Sequence, residues 1–136
     1  MTRLFLDTNI LLDLLAKRLP YYSAAASLFS LADKGTVHLS VSSLSIVNTH
    51  YILRKRMDRK SSRKIITDLG LLITVFPLDS KIIGFALNSD LNDFEDAIHY
   101  HTALENDQQA IITRNQADFK KSSLPVMNAV EFLRSQ

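Results

Sequence analysis

The sequence predicts an α/β fold, a three-layer α/β/α sandwich whose central sheet is mostly parallel and has four to five strands. Two observations support this prediction. Short apolar runs recur along the chain, and each run is followed by a segment with the apolar spacing of a helix. Strands that alternate with helices pair in parallel, because the helix carries the chain back across the sheet. Since 136 residues suit one domain, we expect residues 1–136 to form a single domain.

The strands are predicted from short, mostly apolar runs that polar or turn-forming residues bound. These runs are residues 4–6, 37–41, 71–76, 110–113 and 125–127. Nearly continuous apolar character is typical of strands that are buried on both faces of a parallel sheet. The first run ends at Asp7, so a charged side chain directly follows a buried strand.

The helices are predicted from apolar residues three and four positions apart and from polar residues that can cap a first turn. The first two helices form a hairpin, which ends at Lys34 and Gly35, a cation followed by a permissive glycine. The expected caps or first residues of the helices are Asn9, Ser42 or Ser43, Asp58, Asp79 or Ser80, Asn92 and Asn128.

Composition narrows the class of protein. Apolar residues make up 46% of the chain, enough to form a buried core without covalent staples. The absence of cysteine excludes disulfides, thiolate zinc sites and thiol nucleophiles, and it suits a reducing compartment. The first residues lack the features of a signal peptide, and no stretch approaches the roughly 20 apolar residues of a membrane span. We therefore expect a cytoplasmic protein with no membrane partner.

Charged residues are segregated along the chain, although the formal net charge is only +2. Residues 54–64 are rich in cations, and residues 90–107 contain acids and no lysine or arginine. The cations are Arg54, Lys55, Arg56, Arg59, Lys60, Arg63 and Lys64, and the acids are Asp90, Asp93, Glu95, Asp96, Glu105 and Asp107. A basic segment suits a polyanion, whereas an acidic one repels it unless cations are bound. The pattern suggests metal and nucleic acid, and two ordinary solvated helix faces are the alternative.

Aspartates lie near the predicted strand ends. Asp7 follows the first strand, Asp118 lies just beyond the fourth, and Asp93 and Asp96 share one face at the start of a helix. Sites in open parallel sheets form beyond the carboxyl ends of the strands, so we expect these side chains to converge there. Crowded carboxylates need a counter-charge, which a hard cation such as Mg²⁺ or Mn²⁺ supplies. Ordinary roles as caps and turn residues are the alternative.

Three segments resemble the motifs of the PIN-domain family. They are residues 6–13 (LDTNILLD), 93–97 (DFEDA) and 112–119 (ITRNQADF), in the family's order and at its spacing. The resemblance covers essentially the whole chain and is strongest to the VapC-type ribonuclease toxins of toxin–antitoxin pairs. It implies that residues 1–136 are a single PIN-like nuclease domain, a metal-dependent endoribonuclease that uses Mg²⁺ or Mn²⁺. It also implies a small antitoxin as partner and a homodimer.

The resemblance assigns roles to particular residues. The catalytic, metal-binding acids that it implies are Asp7, Asp96 and Asp118, with Asp93 as a further metal contact. The residues that would orient these carboxylates or a bound water are Thr8, Asn9, Thr113 and Asn115. Beside these, cations on one helical surface are expected to meet RNA phosphates without reading the bases. The expected RNA-binding residues are Arg54, Lys55, Arg59, Lys60, Arg63 and Lys64.

One position departs from the family pattern. The helix after the second strand usually carries a glutamate, and here the run from Ser43 leads to Asn48. Asparagine offers a neutral oxygen in place of a carboxylate, so we expect Asn48 to support a weaker metal site. The alternative function that follows from this departure is a catalytically silent RNA-binding or scaffolding module.

Two other interpretations of the site residues fit less well. His99 and His101 suggest zinc, but residues two positions apart on a helix face different sides. His101 is instead expected to be a core histidine, and His99 and Tyr100 are expected to flank the site. Asp7 at the end of a first strand also suggests a phosphoaspartate nucleophile. The aspartyl phosphatases carry a second aspartate two positions later, where this chain has Asn9.

Overall fold

The computed structural model describes residues 1–136 and contains a five-stranded sheet in which every strand pair is parallel. The strands are β1 (Thr2–Leu6), β2 (Val37–Ser42), β3 (Ile73–Phe76), β4 (Ala110–Ile112) and β5 (Val126–Met127). Their spatial order is β3-β2-β1-β4-β5, so the first strand of the chain lies at the centre of the sheet. The predicted α/β class with a parallel sheet is confirmed.

Seven helices and one short 3₁₀ turn accompany the sheet. The helices are α1 (Thr8–Leu15), α2 (Tyr22–Asp33), α3 (Ser43–Leu53), α4 (Arg59–Leu69), α5 (Ser80–Leu87), α6 (Phe94–Glu105) and α7 (Ala129–Arg134), and the 3₁₀ turn is Gln116–Phe119. The longest helices have 12 residues, and none is both long and apolar enough to cross a bilayer. Gly35 has a φ of +77° just after α2, a backbone conformation that favours glycine at a helix end.

The helix starts follow the predicted capping chemistry, with two exceptions. In α3 to α7, the backbone N–H groups of the first turn donate hydrogen bonds to the capping side chains, which are those of Ser42, Asp58, Asp79, Asp93 and Asn128. The acidic helix α6 is thus capped by Asp93 and not by Asn92. The expected cap Asn9 lies inside α1, which Asp7 caps by accepting the Thr8 backbone N–H. A carboxylate at the end of β1 therefore starts the first helix directly.

Strand β3 begins two residues later than the apolar run predicted. Leu71 and Leu72 donate their backbone N–H groups to carbonyls in the last turn of α4, so they continue that turn. The side chain of Leu71 is exposed, and it does not belong to the core. Thr113 and Pro125, predicted as strand residues, lie one residue outside β4 and β5. The apolar pattern did not predict these strand ends correctly, because a strand ends where its backbone stops pairing with the neighbouring strand.

The sheet is covered on both faces, which gives the three layers. Leu4 and Leu6 of β1 point to one face, where they pack with residues of α1, α2 and α7 in the larger core cluster. Phe5 points to the other face and packs against Tyr100 of α6 and Phe119 of the 3₁₀ turn. This alternation follows from the two-residue period of a strand. The central strand is therefore buried from both sides.

The chain reverses its direction across the sheet at β1. It passes from β1 to β2 and β3 on one side, and then returns to β4 and β5 on the other. The crevice at such a switch point lies beyond the carboxyl ends of the two strands that flank it, here β1 and β4. Helix α3 packs against α1, and its Leu44 contacts the α5–α6 cluster, so α3 bridges helices of the two outer layers. The fold thus places the residues after β1 and β4 at one crevice.

We expect Ile111→Ala to destabilise the protein far more than Leu87→Ala. Ile111 is fully buried in β4, and truncating it leaves a cavity that costs about 2–5 kcal/mol. Leu87 is largely exposed at the end of α5, so its truncation should cost less than about 1 kcal/mol. Urea unfolding of both variants provides the measurement, and equal losses would contradict the burial pattern of the sheet.

Candidate functional site

Asp7 lies at the end of the central strand and is almost entirely buried, with 6% of the residue exposed. Its backbone N–H donates to the Ile112 carbonyl at 3.0 Å, which continues the pairing of β1 with β4. Its Oδ1 accepts the Thr8 backbone N–H at 2.7 Å, and its Oδ2 accepts the Thr113 hydroxyl at 2.8 Å. Hydrogen bonds to a carboxylate are short and strong, so these two donors fix its orientation.

The residues after β1 and β4 form a hydrogen-bonded network around Asp7. Asn9 Nδ2 lies 3.4 Å from Asp7 Oδ2, and Asn9 Oδ1 accepts the Arg114 backbone N–H at 3.4 Å. The Asn115 backbone N–H donates to the Thr113 hydroxyl oxygen at 3.0 Å. Thr113 and Asn9 therefore contact the carboxylate directly, whereas Asn115 acts on it through its backbone.

Three of the predicted acids line one cleft of about 170 Å³. Asp93 and Asp96 come from the start of α6, and Asp118 comes from the 3₁₀ turn after β4. Asp93 Oδ1 accepts the Asp96 backbone N–H at 3.0 Å. Lys120 and Lys121 line the same cleft and place cations beside the acids. Acids from two distant segments therefore meet at one place, as the sequence predicted.

Asp96 couples this cleft to Asp7 electrostatically. Burial has the largest effect on the pKa of Asp96, and the charges of Asp7, Asp93, Asp118 and Glu95 add to it, so that the pKa rises from 3.8 to about 7. Asp7 does not line the cleft, yet its charge is the strongest of these four influences. The carboxylates are thus near enough to repel one another, and a bound cation would relieve that repulsion.

His99 is fully buried beside Asp7, although the sequence predicted the core role for His101. His99 Nε2 lies 3.7 Å from Asp7 Oδ1 and 3.4 Å from Thr8 Oγ1. Burial lowers the pKa of His99, and the nearby charges of Asp7 and Glu95 oppose this only in part, so the imidazole is neutral near neutral pH. Its Nε2 faces the acids, and its buried Nδ1 has no hydrogen-bond partner.

His101 packs against α5 instead and is not fully buried. Its ring centroid lies 5.6 Å from that of Phe85 and 5.1 Å from that of Tyr100. The His99 ring lies 5.9 Å from that of Phe5 in the central strand. Helix α6 thus turns His99, and not His101, toward the sheet, and the prediction for His101 is wrong. The two histidines do not converge on one ion.

Asn48 contacts a further acid of α6. Its Nδ2 donates to Glu95 Oε1 at 2.9 Å, which joins α3 to α6. An ionised carboxylate can only accept hydrogen bonds, so the amide nitrogen and not the amide oxygen faces it. Glu95 Oε1 also lies 3.9 Å from His99 Nε2. The residue at the position of the expected glutamate is therefore engaged with another glutamate.

The cations of residues 54–64 are exposed but do not line the acidic cleft. One of them, Lys64, is paired with Asp68 at 2.9 Å, one helical turn further along α4. The cations that do line the cleft are Lys120 and Lys121, which the charge pattern of the sequence did not single out. The structure thus has a basic surface along α4 and a separate pair of lysines beside the acids.

The chemistry of the donor set fits a hard divalent cation. Carboxylate, hydroxyl and amide oxygens are the ligands that Mg²⁺ and Mn²⁺ prefer. Burial and the neighbouring carboxylates raise the pKa of Asp96 to about 7, so a bound cation would favour its ionised form. No three acidic or imidazole side chains converge on a single point in their present rotamers. The site therefore offers suitable ligands and charge without a closed coordination shell.

The structure brings most of the predicted site residues to this edge of the sheet and adds residues that the sequence did not single out. Those that it adds are Glu95, Lys120 and Lys121, and it places His99, which the sequence predicted to flank the site, directly beside Asp7. A signal for Glu95 was present, since it lies four positions before His99 and shares a face of α6 with it. The two lysines follow the third motif directly in sequence, and the structure shows that they line the acidic cleft.

A family model described as PIN domain matches residues 3–117 of the chain. The matched range contains the first two motifs whole and most of the third, and it stops just before Asp118. No curated protein matches the chain in sequence. The family match therefore covers nearly the whole sheet and most of the candidate site.

Solved structures with a similar fold include toxin–antitoxin proteins. VapBC2 from Rickettsia felis, bound to a promoter DNA fragment, has a TM-score of 0.69 at 18% identity, covering 93% of this chain and 98% of that chain. A toxin–antitoxin complex from Klebsiella pneumoniae has a TM-score of 0.69 at 21% identity, covering 92% and 96%. VapC20 from Mycobacterium tuberculosis, a toxin that cleaves the sarcin–ricin loop, has a TM-score of 0.63 at 15% identity, covering 79% and 86%. At these identities the likeness shows a shared fold.

We expect the ionisation of Asp96 to destabilise the metal-free protein as the pH rises from 3.8 to about 7, against opposite contributions from His99 and His101, whose pKa values burial lowers. The folded protein keeps a proton on Asp96 up to a pKa of about 7, whereas the unfolded chain releases it near 3.8. Ionisation in this window therefore disfavours the folded state, by about 1–2 kcal/mol once solvent screening of the half-buried carboxyl is included. Urea unfolding in EDTA at about pH 5 and about pH 8 measures the change in stability, and the difference between the wild-type protein and Asp96→Asn gives the part that comes from Asp96.

Asp96→Asn should reduce this destabilisation, because the amide carries no charge at either pH. Asp33→Asn, which changes an exposed acid at the end of α2, is the matched control and should leave the destabilisation unchanged. A pH dependence in Asp96→Asn equal to that of the wild-type protein would contradict the assigned pKa of Asp96.

Proposed function

The chain belongs to the PIN-domain family, and we propose that it is a divalent-metal-dependent endoribonuclease that hydrolyses RNA phosphodiester bonds. The observation that carries this proposal is the meeting of acids from three segments at the switch point of the sheet. Their mutual repulsion opposes folding, so a stabilising role alone does not account for the cluster. Binding of a cation that the reaction needs does account for it.

We assign the acids as the ligands of that cation. The catalytic, metal-binding residues are Asp7, Asp96 and Asp118, with Asp93 as a further metal contact, and the supporting residues are Thr8, Asn9, Asn48, Thr113 and Asn115. When bound, Mg²⁺ or Mn²⁺ supplies positive charge that activates water and stabilises the leaving oxygen of the phosphodiester.

The chain's own residues orient the acids and attract the substrate. Thr113 and Asn9 hold the Asp7 carboxylate in one orientation, and preorganised groups avoid reorganisation during the reaction. Lys120 and Lys121 lie beside the acids, where their charges attract an RNA phosphate that the acids alone would repel. The acidic edge of the sheet therefore combines a fixed acid, Asp7, with cations that favour a polyanion.

We propose that RNA also runs along the basic surface of α4 and the turn before it. These cations are exposed, and apart from Lys64 none of them forms an ion pair within the chain. Cations on a helix surface meet phosphates without reading bases, so this surface would add affinity and not specificity. The residues concerned are Arg54, Lys55, Arg59, Lys60, Arg63 and Lys64.

We further propose that the protein is the toxin of a toxin–antitoxin pair. Support comes from the similar folds of a toxin–antitoxin complex from Klebsiella pneumoniae and of a loop-cleaving toxin from Mycobacterium tuberculosis. The partner would be a small antitoxin protein, and the active form a homodimer, as the resemblance to VapC-type toxins implies. The absence of cysteine suits action in the cytoplasm.

We expect Asp7→Asn, Asp96→Asn and Asp118→Asn each to lower RNA cleavage at least about a hundredfold, which corresponds to about 2.7 kcal/mol of transition-state stabilisation. Each substitution removes a charge from the cation site and keeps the side-chain shape. Asparagine also caps helices as well as aspartate does, so the fold should survive in Asp7→Asn. Cleavage of a labelled RNA across a titration of Mg²⁺ and Mn²⁺ gives the measurement, with Asp33→Asn as control.

Wild-type cleavage by Asp7→Asn would refute the proposed mechanism. RNA binding by the wild-type protein with no cleavage at any concentration of either metal would instead select the catalytically silent RNA-binding module. Circular dichroism of each variant separates loss of activity from loss of fold.

We expect replacement of Arg59, Lys60 and Arg63 by glutamine to weaken binding of all RNAs by a similar factor. Loss of three phosphate contacts should flatten the salt dependence of binding to single strands by about 2 units in log–log slope. Fluorescence anisotropy over a salt series provides the measurement. The matched control replaces the exposed cations Lys17, Lys34 and Arg134 by glutamine. Equal slopes in the two triple variants would show that α4 does not contact RNA.

A further inference from the structure

The hydrogen bond between Asn48 and Glu95 joins two helices at the acidic edge. Asn48 lies in α3 and Glu95 in α6, 47 residues apart in sequence, and the amide donates to the carboxylate at 2.9 Å. The sequence pattern leads us to expect a glutamate at the position of Asn48. The Glu95 carboxylate therefore lies beside the position of the expected glutamate, although α6 and not α3 carries it.

The imidazole of His99 contacts the carboxylates of both Glu95 and Asp7. His99 Nε2 lies 3.9 Å from Glu95 Oε1 and 3.7 Å from Asp7 Oδ1. Glu95 and His99 are four residues apart, so both lie on the face of α6 that is turned to the site. The two carboxylates thus flank one nitrogen atom of a buried histidine.

One oxygen of Glu95 is held by a hydrogen bond, and the other forms no hydrogen bond or ion pair within the chain. Oε1 accepts the Asn48 amide, and Oε2 makes no hydrogen bond or ion pair. The Glu95 side chain is 50% exposed, whereas that of Asp7 is 9% exposed. Glu95 therefore has a fixed direction and an accessible oxygen, as a ligand of a hydrated cation requires.

We propose that Glu95 is a metal-binding carboxylate of the acidic site, that it takes the place of the glutamate missing from α3, and that Asn48 is its positioning residue. The inference rests on the proposed function, because it needs a divalent cation at this edge. Asn48 in α3 with Glu95 in α6 has the same net charge as a glutamate in α3 with an amide side chain in α6. The neutral residue at position 48 therefore does not weaken the site.

The test measures Mn²⁺ affinity of the metal-free full chain by isothermal titration calorimetry with MnCl₂. Glu95→Gln keeps the size of the side chain and removes its charge, and we expect it to weaken Mn²⁺ binding at least about tenfold. The matched control is Glu105→Gln, which changes the same residue type at the other end of α6, where Glu105 pairs with Lys81 at 2.7 Å. The control should bind Mn²⁺ like the wild-type protein.

The exchanged pair, Asn48→Glu with Glu95→Gln, is the decisive variant. It returns the carboxylate to α3 and lets the new amide of residue 95 donate to it, so the hydrogen bond is kept in the opposite direction. We expect this double variant to recover Mn²⁺ affinity to within about threefold of the wild-type value. A fold defect in Glu95→Gln would not be rescued by this exchange, and the Glu105→Gln control accounts for a nonspecific effect of charge.

The positioning role of Asn48 is tested by a double-mutant cycle. Asn48→Leu removes the donor, and we expect it to weaken Mn²⁺ binding when Glu95 is present. In the Glu95→Gln background the same change should have no further effect, because the carboxylate that it positions is gone. A merely structural Asn48 would weaken binding equally in both backgrounds, and that result would refute the positioning role.

Asp7→Asn separates failure of this inference from failure of the proposed function. If Asp7→Asn weakens Mn²⁺ binding and Glu95→Gln does not, the metal site stands and the assignment of Glu95 is wrong. If neither change weakens binding, the metal-dependent function itself is wrong. Equal weakening in Glu95→Gln and Glu105→Gln would show a general charge effect and would also overturn the assignment. Circular dichroism of each variant confirms that it is folded.

Discussion

The hydrogen bond from the Thr113 hydroxyl to Asp7 is the contact on which the site depends. It joins residues that are 106 positions apart in sequence but follow adjacent strands of the sheet. Parallel pairing brings the carboxyl ends of β1 and β4 to the same level, and core clusters on both faces hold the strands there. A shift of one residue in either strand would turn every side chain to the other face and separate the two groups. The acidic site is therefore a consequence of sheet register.

Two of the acids combine an ordinary local role with a place in the site. Asp7 and Asp93 each cap a helix through Oδ1, and the second oxygen remains for other partners. Acids at the start of α6 are also favoured by the helix dipole, which lowers the cost of crowding them. Capping and cation binding are thus compatible in one carboxylate. Burial, together with the repulsion that remains between the acids, raises the pKa of Asp96.

Helix α3 connects α1, which Asp7 caps, with α6, whose first turn carries Glu95 and Asp96. Its Ser45 hydroxyl lies 2.6 Å from the hydroxyl of Thr8 in α1, and its Asn48 donates to Glu95 in α6. These two residues of α3 are three positions apart and share one face of the helix. A substitution on this face changes groups in both outer layers of the sandwich. For that reason the effect of Asn48 on the site depends on the residue of α6 that it contacts, which is Glu95.

The sequence by itself determined the fold class, the caps of most helices and the identity of the aspartates, because apolar period, capping chemistry and motif spacing are local properties of a chain. It placed the strand of residues 71–76 and the role of His101 less well, since backbone pairing and the rotation of a helix against the sheet are not local. Only the tertiary structure decided that His99 lies beside Asp7 and that Glu95 meets Asn48. Those contacts join different elements, and no period within one segment encodes them.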